Sequence, residues 1–184
     1  MSSTPDLSSL EAQINTLISN SRADVAVALR ALDGKSQMLI NENVMFHAAS
    51  TMKVAVMVEL FAQAELGHLS LDDKIPVINK FPSMVDGSDF SLELEGDLDH
   101  AISATPLRTL RELCHAMIVV SSNLATNLIM QRVGVENIQC RLQTFGIEGL
   151  HILRPLEDNK AFEKGMSNTT DAISLLMLLE KLAH

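Results

Sequence analysis

The sequence contains no tryptophan and no tyrosine, and only two cysteines, five prolines and eight glycines in 184 residues. Without Trp or Tyr there is no aromatic belt of the kind found at membrane interfaces, and no aromatic platform for stacking bases. So little proline and glycine excludes collagen-like and low-complexity chains. Cys114 and Cys140 have no CxxC spacing, which leaves zinc and dithiol chemistry unsupported; both read as small buried hydrophobes. Positive charge is also scarce, with 14 Lys and Arg against 23 Asp and Glu, a net charge of −9 and no basic cluster. Phosphate binding needs a positive footprint, so no nucleic-acid partner is expected. No apolar run reaches the roughly 20 residues that cross a bilayer, so no membrane span is expected. The start, MSSTPDLSSL, lacks a basic stretch followed by an apolar one, so no secretory signal is visible. The expected compartment is the cytoplasm, or the periplasm or exterior if a leader has been removed. The six histidines never pair at i+3 or i+4, and no glycine-rich phosphate loop is present. Neither a metal nor a cofactor is expected.

What is there is an ordinary globular composition, 47% apolar and 20% charged, of a length that suits one domain or little more. Leu7, Leu10, Ile14, Leu17 and Ile18 recur at helical spacing over 6–19, with Asp6 as the cap. Alternation through Val25, Val27, Leu29 and Ala31, then Asp33-Gly34, then Met38-Leu39-Ile40, reads as a hairpin. From Ser50 to Leu66 the chain is almost continuously apolar, with Gly67 as the stop; such a helix should be central and packed on most sides. Residues 68–104, with their acidic run Asp86 to Asp99, read as a solvated surface excursion with little regular structure. Thr109-Leu-Arg-Glu112 fits a capping box, and helices are expected behind it, from Ser122 to Val133, and around Ile138 and Leu142. Residues 146–168 read as loop, and Thr169-Thr170 as the opening of a last helix. Two strands stand out, few for the surface the central helix must bury against.

Two motifs carry chemistry. Ser50-Thr51-Met52-Lys53 puts a hydroxyl and an amine on one face of a helix start, among N–H groups that favour developing negative charge. Lysine acts as a base only where burial or nearby cations depress its pKa, and the surroundings here are apolar. Ser121-Ser122-Asn123 falls between two helices, where a tight turn presents polar groups. Each alone also fits a plainer reading: an N-cap serine with a surface lysine, and a capping turn.

In this order, SxxK then SxN, they match the pattern of penicillin-recognising serine enzymes. With their flanks, Phe46 to Lys53 and Met117 to Leu128, and with Leu69 to Asp73 and Asn168-Thr169-Thr170, the chain resembles class A β-lactamase-like serine hydrolases from about residue 10 to 182. The resemblance implies the two-part α/β (α+β) fold of the β-lactamase/transpeptidase superfamily, a helical domain beside an antiparallel-sheet domain. The layout it implies is 1–48 in the α/β part, 49–167 as the helical part, and 168–184 returning to the α/β part. It implies Ser50 as the acylated nucleophile, with its backbone N–H as half of an oxyanion hole. Lys53 would help activate it, Ser121 would protonate the departing nitrogen, and Asn123 would bind the substrate's side-chain amide.

Three departures accompany the resemblance. The middle of the second motif, usually aspartate, is Ser122. The deacylating glutamate, normally in Arg-x-Glu, has no clear counterpart; Arg154-Pro155-Leu156-Glu157 has one residue too many, and Glu157 is the candidate base. The Lys-Thr-Gly strand is absent, so the chain looks like the first two-thirds of such a protein, either shortened or with its C-terminal part elsewhere. Self-association or a further C-terminal segment would then cover the exposed sheet face. Three functions follow. The first is β-lactam hydrolysis through acyl-Ser50. The second is a slowly deacylating penicillin-binding D-alanyl carboxypeptidase or esterase. The third is an inactive fragment or non-catalytic binding protein.

Overall fold

The apolar run after Ser50 becomes the axis of a helical core in the computed structural model, which describes residues 7–94 and 96–183. The chain enters through α1 (Ser8–Asn20) and a hairpin of β1 (Val27–Arg30) and β2 (Gln37–Ile40), which pairs Val27 with Ile40 and Arg30 with Gln37. The expected cap Asp6 lies outside the described residues; α1 starts after Leu7, which makes no side-chain cap. Strand β3 (Phe46–His47) leads through a 3-10 turn, Ala49–Met52, into α2 (Lys53–Glu65). Ser50 therefore sits on the tighter turn and not on the α-helix itself. Gly67 ends α2 in the left-handed conformation, φ 74°, and donates its N–H to the Ala64 carbonyl.

The segment expected to be an unstructured excursion contains β4 (Lys74–Pro76), β5 (Phe81–Pro82), β6 (Asp89–Phe90) and α3 (Gly96–Ser103). Its acidic charge obscured the few apolar anchors, Phe81, Leu92 and Ile102, which are buried, as is Asp99. Strand β7 (Leu107–Thr109) pairs with β4 and ends in the capping box of α4 (Leu110–Val119). There Thr109 Oγ1 accepts from the Glu112 N–H while the Glu112 carboxylate accepts from the Thr109 N–H. Helix α5 (Asn123–Val133) follows, capped by Ser122, and α6 (Val135–Thr144) begins just after Gly134. Inside the segment read as loop lies α7 (Asn159–Glu163), one turn capped by Asp158 and too short to show a period. Thr169-Thr170 form β8 (Thr169–Thr170), paired with β3, and do not open the last helix; α8 (Ala172–Ala183) starts after Asp171.

Strands are thus short, antiparallel and in pairs, more numerous than the two expected from alternation, because stretches of two or three residues carry no readable period. The core is helical. Met52, Val56 and Leu60 pack with Leu110, Leu113 and Met117 of α4 and Leu124, Ile129 and Met130 of α5, all fully buried. Each such side chain contributes about 1.5–3 kcal/mol relative to exposure. Glu59, buried in this core, accepts from Gln63 Nε2 at 2.8 Å and from Arg141 Nε at 2.9 Å.

Helix α2 is packed on most sides, as expected, with one stripe less covered than the rest. Val54, Met57 and Val58 are half-buried and Phe61 is exposed, along one stripe. Helix α1 buries none of its residues, and Leu17, Leu32, Leu179 and Leu182 of α1, the hairpin and α8 are exposed. Cys114 is buried but Cys140 is exposed, since it lies on the outer face of α6. Among the described residues no helix is long and apolar enough to cross a membrane.

Candidate functional site

Ser50 and Lys53 lie one 3-10 turn apart, and a helix of three residues per turn stacks i directly against i+3. The residue before the serine, Ala49, takes φ 44°, a left-handed value that costs a non-glycine residue energy. Ser121 does the same at φ 57°, in the tight turn between α4 and α5. Ser50 Oγ lies 2.8 Å from Ser121 Oγ, both open to solvent.

Beneath them Lys53 is 3% exposed. Its Nζ donates to the Ser121 carbonyl at 2.6 Å, to Ser121 Oγ at 2.9 Å and to Asn123 Oδ1 at 2.9 Å. Three acceptors match the three N–H bonds of an ammonium. Burial pushes the Lys53 pKa below the ordinary 10.5, and the negative charge of Asp99 partly restores it. The group can therefore be held charged by its partners yet lose its proton more readily than a free lysine.

The loop carrying Glu157 is pinned from two sides. The Asn127 side chain, 1% exposed, donates to the Leu156 carbonyl at 2.9 Å and accepts from its N–H at 2.8 Å. Asn168 accepts from the N–H groups of Leu153 and Arg154 and donates to the Arg154 carbonyl. Glu157 itself takes φ 63°. One of its oxygens accepts from Asn123 Nδ2 at 3.3 Å, the other from the Glu93 N–H at 3.2 Å. A cavity of about 510 Å³ opens here, lined by Asn123, Leu156, Glu157, Arg154, His47 and Phe162 among others.

The structure thus gathers Ser50, Lys53, Ser121 and Asn123 into one hydrogen-bonded group. Glu157 joins at its edge, through Asn123. Two contributors are new. Asp99, read as part of a solvated acidic run, is buried on α3 and accepts the Ser122 hydroxyl. Asn127 anchors the loop. Asn127 has a sequence signal, an amide inside an apolar helix; Asp99 has none, because its neighbours are equally acidic. Among the described residues, no group of three or more His, Cys, Asp or Glu is placed to hold a metal ion.

A model of a protein family described as a β-lactamase enzyme family matches residues 9–184. Among solved structures, a β-lactamase from Chitinophaga pinensis superposes with a TM-score of 0.78 at 19% identity, over 95% of this chain and 63% of that one. PBP-A superposes with a TM-score of 0.76 at 26% identity, over 98% of this chain and 64% of that one. A leucine-to-glutamate variant of PBP-A, solved as its acyl-enzyme complex with penicillin G, matches at 24% identity and a TM-score of 0.76, over 100% of this chain and 64% of that one. The fold is the α/β fold of these β-lactamase/transpeptidase-like proteins. The chain spans less than two thirds of the length of the structures it matches, 63% and 64% of those named. No curated protein matches the sequence.

Proposed function

The chain belongs to the β-lactamase enzyme family, and from that membership we propose that it opens β-lactams by acylating Ser50. The observation that carries the reading is the unbroken line of hydrogen bonds from Ser50 Oγ through Ser121 Oγ and Lys53 Nζ to Asn123 Oδ1. Ser50 Oγ attacks the lactam carbonyl while its proton passes to Ser121 Oγ and the Ser121 proton passes to neutral Lys53. The ester bond to Ser50 forms as the ring C–N bond breaks. The ring nitrogen then takes a proton from Ser121, which recovers its own from the Lys53 ammonium, so the relay returns to its starting state. The Ser50 N–H, at the first turn of a helical segment where such groups lack an intrahelical partner, is the donor for the developing oxyanion. Asn123, fixed at one end by Lys53 and at the other by Glu157, presents its amide to the substrate's side chain.

A second reading is favoured by one observation. The residue two after Arg154, where Arg-x-Glu would place the deacylating base, is Leu156, whose backbone is locked by Asn127. That favours a long-lived acyl-enzyme, as in a penicillin-binding D-alanyl carboxypeptidase or esterase. The partner in both readings is a small β-lactam or D-alanyl peptide. The same account assigns a cover, a second copy or a further segment of polypeptide, to the open apolar faces of α1, the hairpin and α8. Nitrocefin separates the readings: many turnovers per enzyme support efficient hydrolysis, a single stoichiometric burst supports slow deacylation, and no colour change in the presence of folded protein overturns both.

A further inference from the structure

Asp99 sits on α3 with 5% of its surface exposed, and its Oδ1 accepts the hydroxyl of Ser122, the middle residue of the Ser121–Asn123 turn. The same hydroxyl oxygen accepts from the Ala125 N–H at 3.0 Å, so Ser122 ties the carboxylate to the first turn of α5. The Ser122 carbonyl also accepts from Thr126 Oγ1 at 2.6 Å, and the Ser122 N–H donates to the Ala116 carbonyl at 3.2 Å. Every polar group of this residue is therefore committed to holding the turn. A carboxylate this buried is costly unless it is hydrogen-bonded and near a compensating charge. The hydrogen bond is that of Ser122, and the Lys53 ammonium, itself 3% exposed, feels the charge of Asp99.

We infer that Asp99 is a positioning residue of this site, holding the Ser121–Asn123 turn against Lys53 through the Ser122 hydroxyl and supplying the counter-charge for the Lys53 ammonium. The inference rests on the reading that Lys53 and Ser121 move the proton of acylation. Lys53 feels the charge of Asp99 from α3; it is hydrogen-bonded from the α4–α5 turn by the neutral groups of Ser121 and Asn123, and Glu157, in the loop before α7, reaches it only through Asn123. Asp99 is the anion whose charge raises the Lys53 pKa against the lowering by burial. Its removal lets Lys53 lose its proton at lower pH and frees the turn that aims Ser121 at Ser50.

The test follows Lys53 directly. Protein labelled at lysine Cε is titrated by NMR, with the Lys53 signal assigned as the one lost in Lys53→Arg, and Ser50 acylation by benzylpenicillin is timed on the same samples. In Asp99→Asn, whose amide oxygen still accepts the Ser122 hydroxyl, the Lys53 midpoint moves to lower pH; in Asp99→Ala, which removes the acceptor as well, the acylation rate at its pH plateau also falls on the order of ten- to a hundredfold through misplacement of Ser121. Moving the carboxylate across its own hydrogen bond, in Asp99→Asn with Ser122→Asp, returns the midpoint. A midpoint unchanged in Asp99→Asn, or unrecovered in the double variant, overturns the inference. If Asp99→Asn does not fold, the double variant decides: folded with the wild-type midpoint it supports the inference, and unfolded or shifted it overturns it. Wild-type protein that benzylpenicillin leaves unmodified overturns the proposed function instead, while the titration still decides the placement of Asp99.

Discussion

The hydroxyls of Ser50 and Ser121, 71 positions apart in the chain, stand 2.8 Å from each other. Two left-handed residues accompany that contact, Ala49 just before Ser50 and Ser121 itself, and a buried lysine bonds Ser121 twice. Strain held at such points persists only where the surroundings fix it, and here those surroundings are α2, α4 and α5, whose side chains form much of the buried core.

In the proposed mechanism the position of Lys53 sets the pH dependence of acylation. As a base it works only when neutral, so the rate rises with pH through its pKa, and burial moves that limb below the range of an ordinary lysine, 10.5. Lys53→Met should lower the acylation rate about 10²–10⁴-fold and remove the limb, measured by stopped-flow penicillin acylation across pH. The sign for stability follows from proton counts. Between the lowered folded pKa and the unfolded one, the unfolded chain binds more protons, so the Lys53 contribution makes stability rise with pH through that window.

Glu157 is held by Asn123 and by the Glu93 N–H, at the edge of the site. Glu157→Gln should therefore slow decay of the acyl-enzyme by less than the hundredfold or so that a working general base contributes. Decay of the covalent adduct followed by mass spectrometry reads this, and a loss of a hundredfold or more would restore Glu157 as the base.

Asn127 satisfies both backbone groups of Leu156 from inside α5. Asn127→Ala leaves those groups unpaired and should cost about 2–4 kcal/mol, read as a lower urea midpoint with unchanged slope. A midpoint equal to wild type would show that the loop does not depend on this anchor.

How much of this was legible in the sequence follows from the range of each signal. The capping box of Thr109 and Glu112, the stop at Gly67 and the hairpin at Asp33-Gly34 are local chemistry, and each forms where its residues stand. The family and the spacing SxxK then SxN were equally readable, because fixed residue types at fixed distances survive without structural knowledge. Helix α3, α7 and β8 were not, since five to eight residues or fewer hold too little periodicity and their placement is set by tertiary contacts. Nothing in alanine or serine announces a left-handed backbone, so the turns at Ala49 and Ser121 were invisible. Asp99 was hidden by its acidic neighbours, whose charge reads as solvated; only α3, folded against α5, removes it from water.

The most direct measurement is the intact mass of the protein before and soon after mixing with benzylpenicillin, with peptide mapping of any product and Ser50→Ala as the control. The account predicts a gain of one benzylpenicillin mass on the peptide carrying Ser50, absent in Ser50→Ala. Unchanged protein mass together with undiminished penicillin would contradict it.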